Sequence, residues 1–408
     1  MGDFYQNGII TTLHNLSRRP TRELEAELLA FSRKRPLGLL LPALYSEFEG
    51  EALPGILENL SAVAYLAQIV VGLDRADREQ FRAAYRSCAC LPQEVRILWN
   101  DGPRLQALDE ELRALDLAPR ELGKGRNVWY CMGYILATGR AESIALHDCD
   151  ITTYDRDMLA RLIYPVAHPQ FNYEFCKGFY ARVAGGRING RVSRLLVTPL
   201  LRALKKTVGE VEYLEYMDSF RYPLAGEFSF RRDVLRDLRI PSDWGLEIGV
   251  LSEMYRNYAN NRLCQVDIAD HYDHKHQALS ANNDSDGLSR MSIDICKALF
   301  RKLATRGVVL SPETFRSVKA TYYRIALDFV ETYNADALMN GMAFDIHQEE
   351  KAVELFADNI MKAGEAFIAR PKERPFIPSW SRVSSAVPDI LERLSEAVEL
   401  DHQEIASH

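Results

Sequence analysis

Continuous apolar runs separated by helical patterns constrain the fold of this chain most. Leu39-Leu40-Leu41 and Ile69-Val70-Val71 contain no polar residue, which is typical of strands covered by helices on both faces. Segments with helical patterns separate such runs through the first two thirds of the chain. The alternation predicts an α/β fold with an open, mostly parallel sheet flanked by helices, whose ligands bind at the carboxyl ends of the strands.

The boundaries of the first elements follow from the same patterns. Five runs predict strands, at residues 36–44, 67–74, 94–101, 142–150 and 173–182. Four segments with helical spacing lie among them, at residues 52–65, 76–87, 104–115 and 125–138.

The chain is long enough for more than one unit. Its 408 residues exceed the roughly 250–300 residues at which a single core usually stops growing. Apolar residues recur at helical spacing after about residue 288, and Ser311-Pro312 is a typical helix start. We therefore predict three units: an N-terminal helical extension (1–34), an α/β domain (35–287) and a C-terminal helical subdomain with a tail (288–408).

Charge and cysteine content limit the class of protein. The formal net charge of −7 argues against a general nucleic-acid binder. No apolar run approaches the roughly 20 residues that span a bilayer, and the first residues lack a secretion signal, so no membrane partner is expected. Seven cysteines without a C-x-x-C pair indicate a reducing compartment, the cytoplasm.

Two acids at the end of a predicted strand form the first candidate site. The run "ESIALHDCD" ends in Asp148 and Asp150, which share one face of a straight strand. A divalent cation such as Mg²⁺ relieves the repulsion of two close carboxylates and also holds phosphate oxygens. The pair suits a metal on the diphosphate of a sugar nucleotide. "DCDIT" also fits the D-x-D-x-T motif of phosphatases, although that motif is expected on the first strand of the fold. A third interpretation is that both acids cap the following turn.

Other charged residues stand where an anionic ligand could bind. Lys124 lies between two glycines at the start of a predicted helix, where backbone N–H groups favour phosphate. Arg191 and Arg194 begin a cationic helical stretch at residues 188–206, which suits an anionic acceptor. Glu247 stands two residues after Gly245 in an apolar segment and needs a polar partner, either a ligand hydroxyl or a structural cation.

Eight segments in order resemble one enzyme family. They are "LPAL" with Glu47, "LGKG", "DCD", "KGFYAR", "GRVSRLLVTPLL", "PLAGE", "WGLEIGVL" and "QVDIADHYDHKHQ", between about residues 39 and 290. The series resembles the glucosyl-3-phosphoglycerate synthases and their mannosyl counterparts, which are retaining glycosyltransferases of the A-type, single-Rossmann-like fold. The resemblance implies that residues 35–287 are the glycosyltransferase domain that binds nucleotide sugar and acceptor.

The resemblance implies a donor site. Asp150 and His274 would hold a divalent metal, Mg²⁺ or Mn²⁺, and Asp148 would face the ribose or the metal. Lys124 would steady the nucleotide. The nucleoside pocket would be lined by Pro42, Ala43, Leu44, Glu47 and Asp74.

The resemblance also implies sugar and acceptor contacts. The donor sugar would be surrounded by Leu224, Gly226 and Glu247, and the catalytic set would be Asp150, Lys124, Glu247 and Leu224. The phosphoglycerate would be bound by Gly190, Arg191 and Ser193. His276 stands where mycobacterial members of the family have an acceptor-contacting Asn, and the second strand lacks their usual Asp-Ser-Gly-Ser turn.

The activity that the resemblance implies is a metal-dependent, retaining transfer of a hexose to 3-phosphoglycerate. Glucose is the favoured hexose, the donor would be UDP-glucose or a GDP-sugar, and the enzyme would be a homodimer. Three alternatives stay open at this point: mannosyl transfer from GDP-mannose, a D-x-D-x-T phosphatase, and a non-enzymatic binding module on the same fold.

Overall fold

The central feature of the fold is one eight-stranded sheet. The computed structural model describes Gln6 and residues 8–274, 284–371 and 376–407. The strands are β1 Thr11–Leu13, β2 Leu37–Leu44, β3 Leu66–Asp74, β4 Glu94–Trp99, β5 Ser143–Leu146, β6 Phe175–Tyr180, β7 Val183–Ala184, β8 Arg187–Ile188, β9 Phe228–Arg231 and β10 Leu263–Ala269. The sheet order is β1-β10-β6-β9-β5-β2-β3-β4, and β7 and β8 form a separate hairpin.

The sheet is mostly parallel, as predicted. Only β9 runs antiparallel to its neighbours in this sheet, β5 and β6. All other pairs in it are parallel. The prediction of an open α/β sheet is therefore confirmed.

Helices cover both faces of the sheet. The helices of the first part are α1 Thr21–Ser32, α2 Tyr45–Phe48, α3 Ala52–Ser61, α4 Arg78–Cys88, α5 Pro103–Ala114, α6 Lys124–Thr138, α7 Arg156–Ala167, α8 Thr198–Val208, α9 Glu212–Asp218, α10 Arg232–Asp237 and α11 Leu246–Asn257. Those of the second part are α12 Asp284–Ala304, α13 Pro312–Met339, α14 Ile346–Ala369, α15 Trp380–Ala386 and α16 Ile390–Ala406. A π-helix at Val192–Val197 precedes α8, and a 3₁₀ turn at Asn260–Arg262 precedes β10.

The apolar strand runs are buried on both faces. In β2, Leu40 belongs to the core on one side of the sheet, whereas Leu39 and Leu41 belong to the core on the other. Val70 of β3 likewise points away from its two neighbours into the first core. A side-chain period of two therefore produces a continuous apolar run when both faces are covered.

The N-terminal segment differs from the prediction. Residues 1–34 contain α1 as expected, but β1 precedes it and adds a strand to the sheet edge by pairing in parallel with β10. The description of this segment as a helical extension is therefore wrong for β1, which is too short for sequence periodicity to reveal. The short run Thr11–Leu13 gains its strand conformation from its partner.

The C-terminal helices pack on the α/β part. Ser311 caps α13 through its side chain, which confirms the predicted helix start. The indole of Trp380 in α15 stacks on that of Trp129 in α6, with ring centroids 4.0 Å apart. His402 in α16 contacts the backbone of edge strand β4 at Ile97. The three-unit division stays a prediction, although α12 begins before the predicted boundary at residue 288.

Membrane insertion has no support from the helices. Within the described ranges, none of them combines the length and apolar character that a bilayer crossing requires.

Candidate active site

The two acids of the D-x-D segment lie just beyond the end of β5. That strand ends at Leu146, four residues earlier than predicted, although the amide of His147 still donates to the carbonyl of Leu40 in β2. Asp148 and Asp150 therefore leave the sheet at its carboxyl edge, as predicted, but their side chains meet different partners.

Asp150 meets His274 from the segment after β10. An isolated antiparallel bridge joins Ile151 to His274, and the amide of Thr152 donates to the carbonyl of Asp273 at 2.9 Å. This backbone pairing leaves Nδ1 of His274 3.2 Å from Oδ2 of Asp150. Burial alone would raise the pKa of the Asp150 carboxyl, but the adjacent His274 lowers it below its ordinary value.

The Asp150–His274 pair fits a divalent cation. Two neighbouring ligands of an octahedral ion with bonds of about 2.1 Å are about 3 Å apart, close to the 3.2 Å seen here. A carboxylate oxygen and an imidazole nitrogen are both ligands of first-row divalent metals. Within residues 8–274, 287–371 and 376–407, no three His, Cys, Asp or Glu side chains form a metal-binding group. The pair thus suits a metal that takes its other ligands from water or substrate phosphates.

Lys124 links Asp148, the first acid of the D-x-D segment, to Glu247 of α11. It is the first residue of α6, and its Nζ lies 2.6 Å from Oδ1 of Asp148 and 3.3 Å from Oε1 of Glu247. Burial alone would lower the pKa of Lys124, but the two carboxylates raise it well above its ordinary value. The lysine therefore stays protonated at neutral pH, beside the free amide groups of a helix N-terminus.

Two glycines allow this close arrangement. A Cβ on Gly226 would lie 2.2 Å from Oδ2 of Asp148, and a Cβ on Gly125 would lie 2.3 Å from the carbonyl oxygen of Pro241. Gly226 precedes β9, which runs antiparallel to β5, so the start of one strand faces the end of the other. Side chains at these positions would separate the elements that carry Asp148 and Lys124.

The predicted nucleoside-pocket residues share one region of the sheet edge. Leu44 at the end of β2 pairs in register with Asp74 at the end of β3, and Pro42 and Ala43 lie just before it in β2. Glu47 in α2 adds negative charge near the D-x-D segment. The pKa of the Cys149 thiol is raised first by burial, then by the charges of Asp148 and Asp150, and then by that of Glu47.

Asp74 has a partner that the sequence did not suggest. Nδ2 of buried Asn100, just after β4, donates to Oδ1 of Asp74 at 2.8 Å. Burial raises the pKa of the Asp74 carboxyl, and this hydrogen bond opposes the rise. Asn100 could have been identified from its position just after an apolar strand, because the same kind of position identified Asp74.

The cationic segment follows the hairpin of β7 and β8. Gly190 adopts a φ of +76°, a conformation that favours glycine, and lies against the phenol of Tyr222, two residues before half-buried Leu224. Arg191 and buried Ser193 begin the π-helix region that continues into α8. The guanidinium of Arg191 contacts Gln348 and Glu349 of α14. Predicted residue His276 lies outside the described residues.

Sequence relatives decide the family. The sequence matches no family model. It is 48% identical over 404 residues to the glucosyl-3-phosphoglycerate synthase of Persephonella marina, covering 99% of this chain and 100% of the relative. The chain belongs to the glucosyl-3-phosphoglycerate synthase family. It is also 38% identical over 408 residues to the synthase of that name from Methanococcoides burtonii, covering 98% of each chain.

A solved structure shows the same fold. The glucosyl-3-phosphoglycerate synthase of Mycobacterium tuberculosis, in complex with Mn²⁺, UDP-glucose and phosphoglyceric acid, superposes with a TM-score of 0.52 at 23% identity. The match covers 72% of this chain and 87% of the mycobacterial one. Membership of the synthase family thus agrees with the glycosyltransferase fold expected from the sequence.

The site of this synthase family member includes a buried network absent from the predicted set. The carboxylate of Glu227, fully buried, accepts a hydrogen bond of 2.7 Å from the phenol of Tyr272, whose ring stacks on Tyr180 at 3.7 Å. Burial, and then the charge of Asp148, raises the pKa of Glu227 to about 7.

Lys177 belongs to the same region. Its ammonium is buried and donates to the carbonyl of Ala225, and burial lowers its pKa to about 8 against the opposing effect of Glu247 and Glu227. The sequence signal was present in "KGFYAR" and "PLAGE", which place charged residues in strongly apolar surroundings. Such residues need buried partners.

Proposed function

We propose that this protein transfers glucose from UDP-glucose to 3-phosphoglycerate, giving glucosyl-3-phosphoglycerate and UDP. In this reaction the bond from the glucose anomeric carbon to the diphosphate oxygen breaks, and a bond to the acceptor hydroxyl oxygen forms on the same face of the sugar. The proton of that hydroxyl passes to the departing diphosphate. The observation that carries the proposal is the grouping of Lys124 and Asp148 with the Asp150–His274 pair at the carboxyl edge of the sheet. The activity in the names of the two full-length relatives supports it.

Asp150 and His274 would hold the divalent metal, Mg²⁺ or Mn²⁺. Their two ligand atoms lie 3.2 Å apart at the end of β5, where the edge of the sheet receives ligands. When bound, a divalent ion supplies positive charge to the diphosphate leaving group.

Lys124 would bind the diphosphate together with the metal. Its raised pKa keeps a positive charge at the N-terminus of α6, so that its ammonium and the backbone amides there stabilise negative charge as UDP departs. Before the donor binds, Asp148 and Glu247 hold this ammonium in place. Once the donor is bound, we assign the ribose as the partner of Asp148.

The donor's two ends would be held by separate groups. Leu224, Gly226 and Glu247 would surround the glucose, and the Glu247 carboxylate can accept hydrogen bonds from sugar hydroxyls. The uridine would lie along the ends of β2 and β3 and on α2, bounded by Pro42, Ala43, Leu44, Glu47 and Asp74.

Gly190, Arg191 and Ser193 would bind the acceptor. A guanidinium at the start of a helical segment suits the phosphate or carboxylate of 3-phosphoglycerate. Holding acceptor and donor side by side lowers the entropic part of the barrier, which matters for a transfer in which both bonds lie on one face. His276 is proposed as a further acceptor contact, on its sequence position alone.

A panel of donors tests the proposed reaction. The protein is incubated with 3-phosphoglycerate, Mg²⁺ and, separately, UDP-glucose, GDP-glucose or GDP-mannose, while release of the nucleoside diphosphate is followed. We expect fastest release from UDP-glucose and none without acceptor. Faster release from GDP-mannose would favour the mannosyl alternative, and release of inorganic phosphate without any sugar nucleotide would favour the phosphatase.

We infer further that the enzyme works in the cytoplasm as a homodimer. All seven cysteines are free thiols, and six of them are buried, which suits a reducing compartment. A two-fold homodimer is the commonest assembly of soluble enzymes. Sedimentation equilibrium of the purified chain tests the dimer, since a monomer mass at micromolar concentration would contradict it.

A further inference from the structure

Helix α14 of the C-terminal region reaches the proposed acceptor site. Oε1 of Glu349 lies 2.6 Å from Nε of Arg191, and its Oε2 lies 2.9 Å from Nη2 of Arg194. The Glu349 side chain is only 5% exposed. A single buried carboxylate therefore bridges two guanidinium groups of the segment that precedes α8.

The two arginines differ in what else they contact. Arg194 is buried, donates from Nε and Nη2 to the carbonyls of Asn189 and Ile188, and lies over the ring of Tyr333 at 4.7 Å. These contacts identify Arg194 as a structural residue that holds the turn after the β7–β8 hairpin.

Arg191 keeps donors for a ligand. Its side chain is 33% exposed, its Nε donates to Glu349, and its Nη2 donates to Oε1 of Gln348 at 2.7 Å. Nη1 has no hydrogen-bond partner among residues 8–274, 287–371 and 376–407. Two contacts from α14 thus fix the plane of the guanidinium and leave one of its nitrogens available.

The charges in this group favour an anion. Two guanidinium groups against one carboxylate leave a net charge of +1, and the partly exposed group is Arg191. A fixed guanidinium loses less side-chain entropy when it binds a phosphate or carboxylate than a free one does. The contact from α14 therefore favours acceptor binding even though Glu349 carries the same sign of charge as the acceptor.

We propose that Glu349 is a positioning residue for the acceptor, acting through Arg191, and that Gln348 assists it. Helix α14 thereby completes the acceptor site of the α/β domain. This inference rests on the proposed function, in which Arg191 binds 3-phosphoglycerate.

The test compares variants of the full-length enzyme with saturating Mg²⁺. For Glu349→Gln we expect the KM for 3-phosphoglycerate to rise about tenfold or more, the effect of losing a charged hydrogen bond. The KM for UDP-glucose and the kcat should stay within about twofold of wild type. A defect confined to packing would not produce this separation of the two KM values.

Two further variants keep the test informative. Gln348 is exposed and contacts Arg191, so Gln348→Ala should fold normally and raise the same KM by a smaller factor, about threefold. Glu354, exposed on the same helix, is the matched control, and Glu354→Gln should leave both KM values unchanged. If Glu349→Gln fails to fold, Gln348→Ala decides the question.

Arg191→Ala separates the inference from the proposed function. If its KM for 3-phosphoglycerate is unchanged, the proposed acceptor site is wrong, and the role of Glu349 is wrong with it. If Arg191→Ala raises that KM but the folded Glu349 and Gln348 variants do not, the positioning role alone is overturned. A lowered KM in Glu349→Gln would also overturn it, because Glu349 would then compete with the acceptor.

Discussion

Nδ1 of His274 lies 3.2 Å from Oδ2 of Asp150, although 124 positions separate the two residues in the chain. The contact depends on backbone pairing between Ile151 and His274, which joins the segment after β5 to the segment after β10. Neither side chain could hold this position if the two segments moved apart. The proposed metal pair is therefore a product of the sheet topology.

Asp150 and His274 should act as one unit. We expect Asp150→Ala and His274→Ala each to lower the transfer rate by at least about 100-fold with the fold retained, and the double variant to lose little more than the worse single one. The measurement is kcat at increasing Mn²⁺, with unfolding temperature as a check on the fold. Exposed His271 provides the control, since His271→Ala should be active. An active Asp150→Ala enzyme would contradict the metal role.

Loss of the Lys124 ammonium should affect catalysis more than folding. Lys124→Ala removes the positive charge assigned to the leaving group, so kcat should fall by about 100- to 1000-fold. It also leaves the charges of Asp148 and Glu247 without their cationic partner beside the bound donor, which should weaken UDP binding. Kinetics and UDP titration by calorimetry measure the two effects. Lys205 in α8, which pairs with Glu215 and Asp218, is the control, and Lys205→Ala should have near-normal activity.

Gly226 should not tolerate even one methyl group. Gly226→Ala would place a Cβ 2.2 Å from Oδ2 of Asp148, so the carboxylate must move away from Lys124. We expect activity to fall at least about tenfold from this misplacement. Gly55→Ala is the matched control because a Cβ there meets nothing within 4 Å. This control should stabilise α3 by about 0.5–1 kcal/mol and keep full activity. Equal activity of both variants would show that the contact is unimportant.

His402 should make stability depend on pH. The pKa of this buried imidazole is lowered to about 4 by burial and by the charge of Arg96, and its Nε2 lies 2.9 Å from the Ile97 amide nitrogen. Between pH 6.5 and 4 the unfolded chain binds the proton that the folded state excludes, so stability falls as pH falls.

A comparison with His402→Gln isolates this effect. The unfolding free energy of wild type, relative to the variant, should be lower at pH 4 than at pH 7 by up to about 3 kcal/mol. Urea unfolding at several pH values measures it. Parallel pH curves for the two proteins would rule out the imidazole as the cause.

The sequence predicted those parts of the fold that repeat a local pattern. β2 and β3 are doubly covered strands, and their apolar runs marked them within one residue at each end. β1 has three residues and depends on β10, so no local pattern could reveal it. The D-x-D segment was predicted to be part of its strand. The strand instead ends at Leu146, and Ile151 of the following segment pairs with His274.

Sequence motifs predicted individual residues of the site. They did not predict the contacts between residues from distant segments. Lys124, between two glycines, and Glu247, two residues after Gly245, were both candidates, yet nothing in the sequence indicated that they pair with each other. Glu349 lies in a long amphipathic helix beyond the family motifs, and only the packing of α14 brings it to Arg191. Buried Glu227 gave a weak signal because its partner Tyr272 lies on another strand end.

The most direct test is the identity of the product. Wild-type protein and Asp150→Ala are incubated with UDP-glucose, 3-phosphoglycerate and Mg²⁺, and the products are analysed by proton NMR. Wild type should give the α-glucoside of 3-phosphoglycerate together with UDP, and Asp150→Ala should give neither. A β-glucoside, free glucose as the main sugar product, or equal glucoside formation by Asp150→Ala would contradict the proposed site and its reaction.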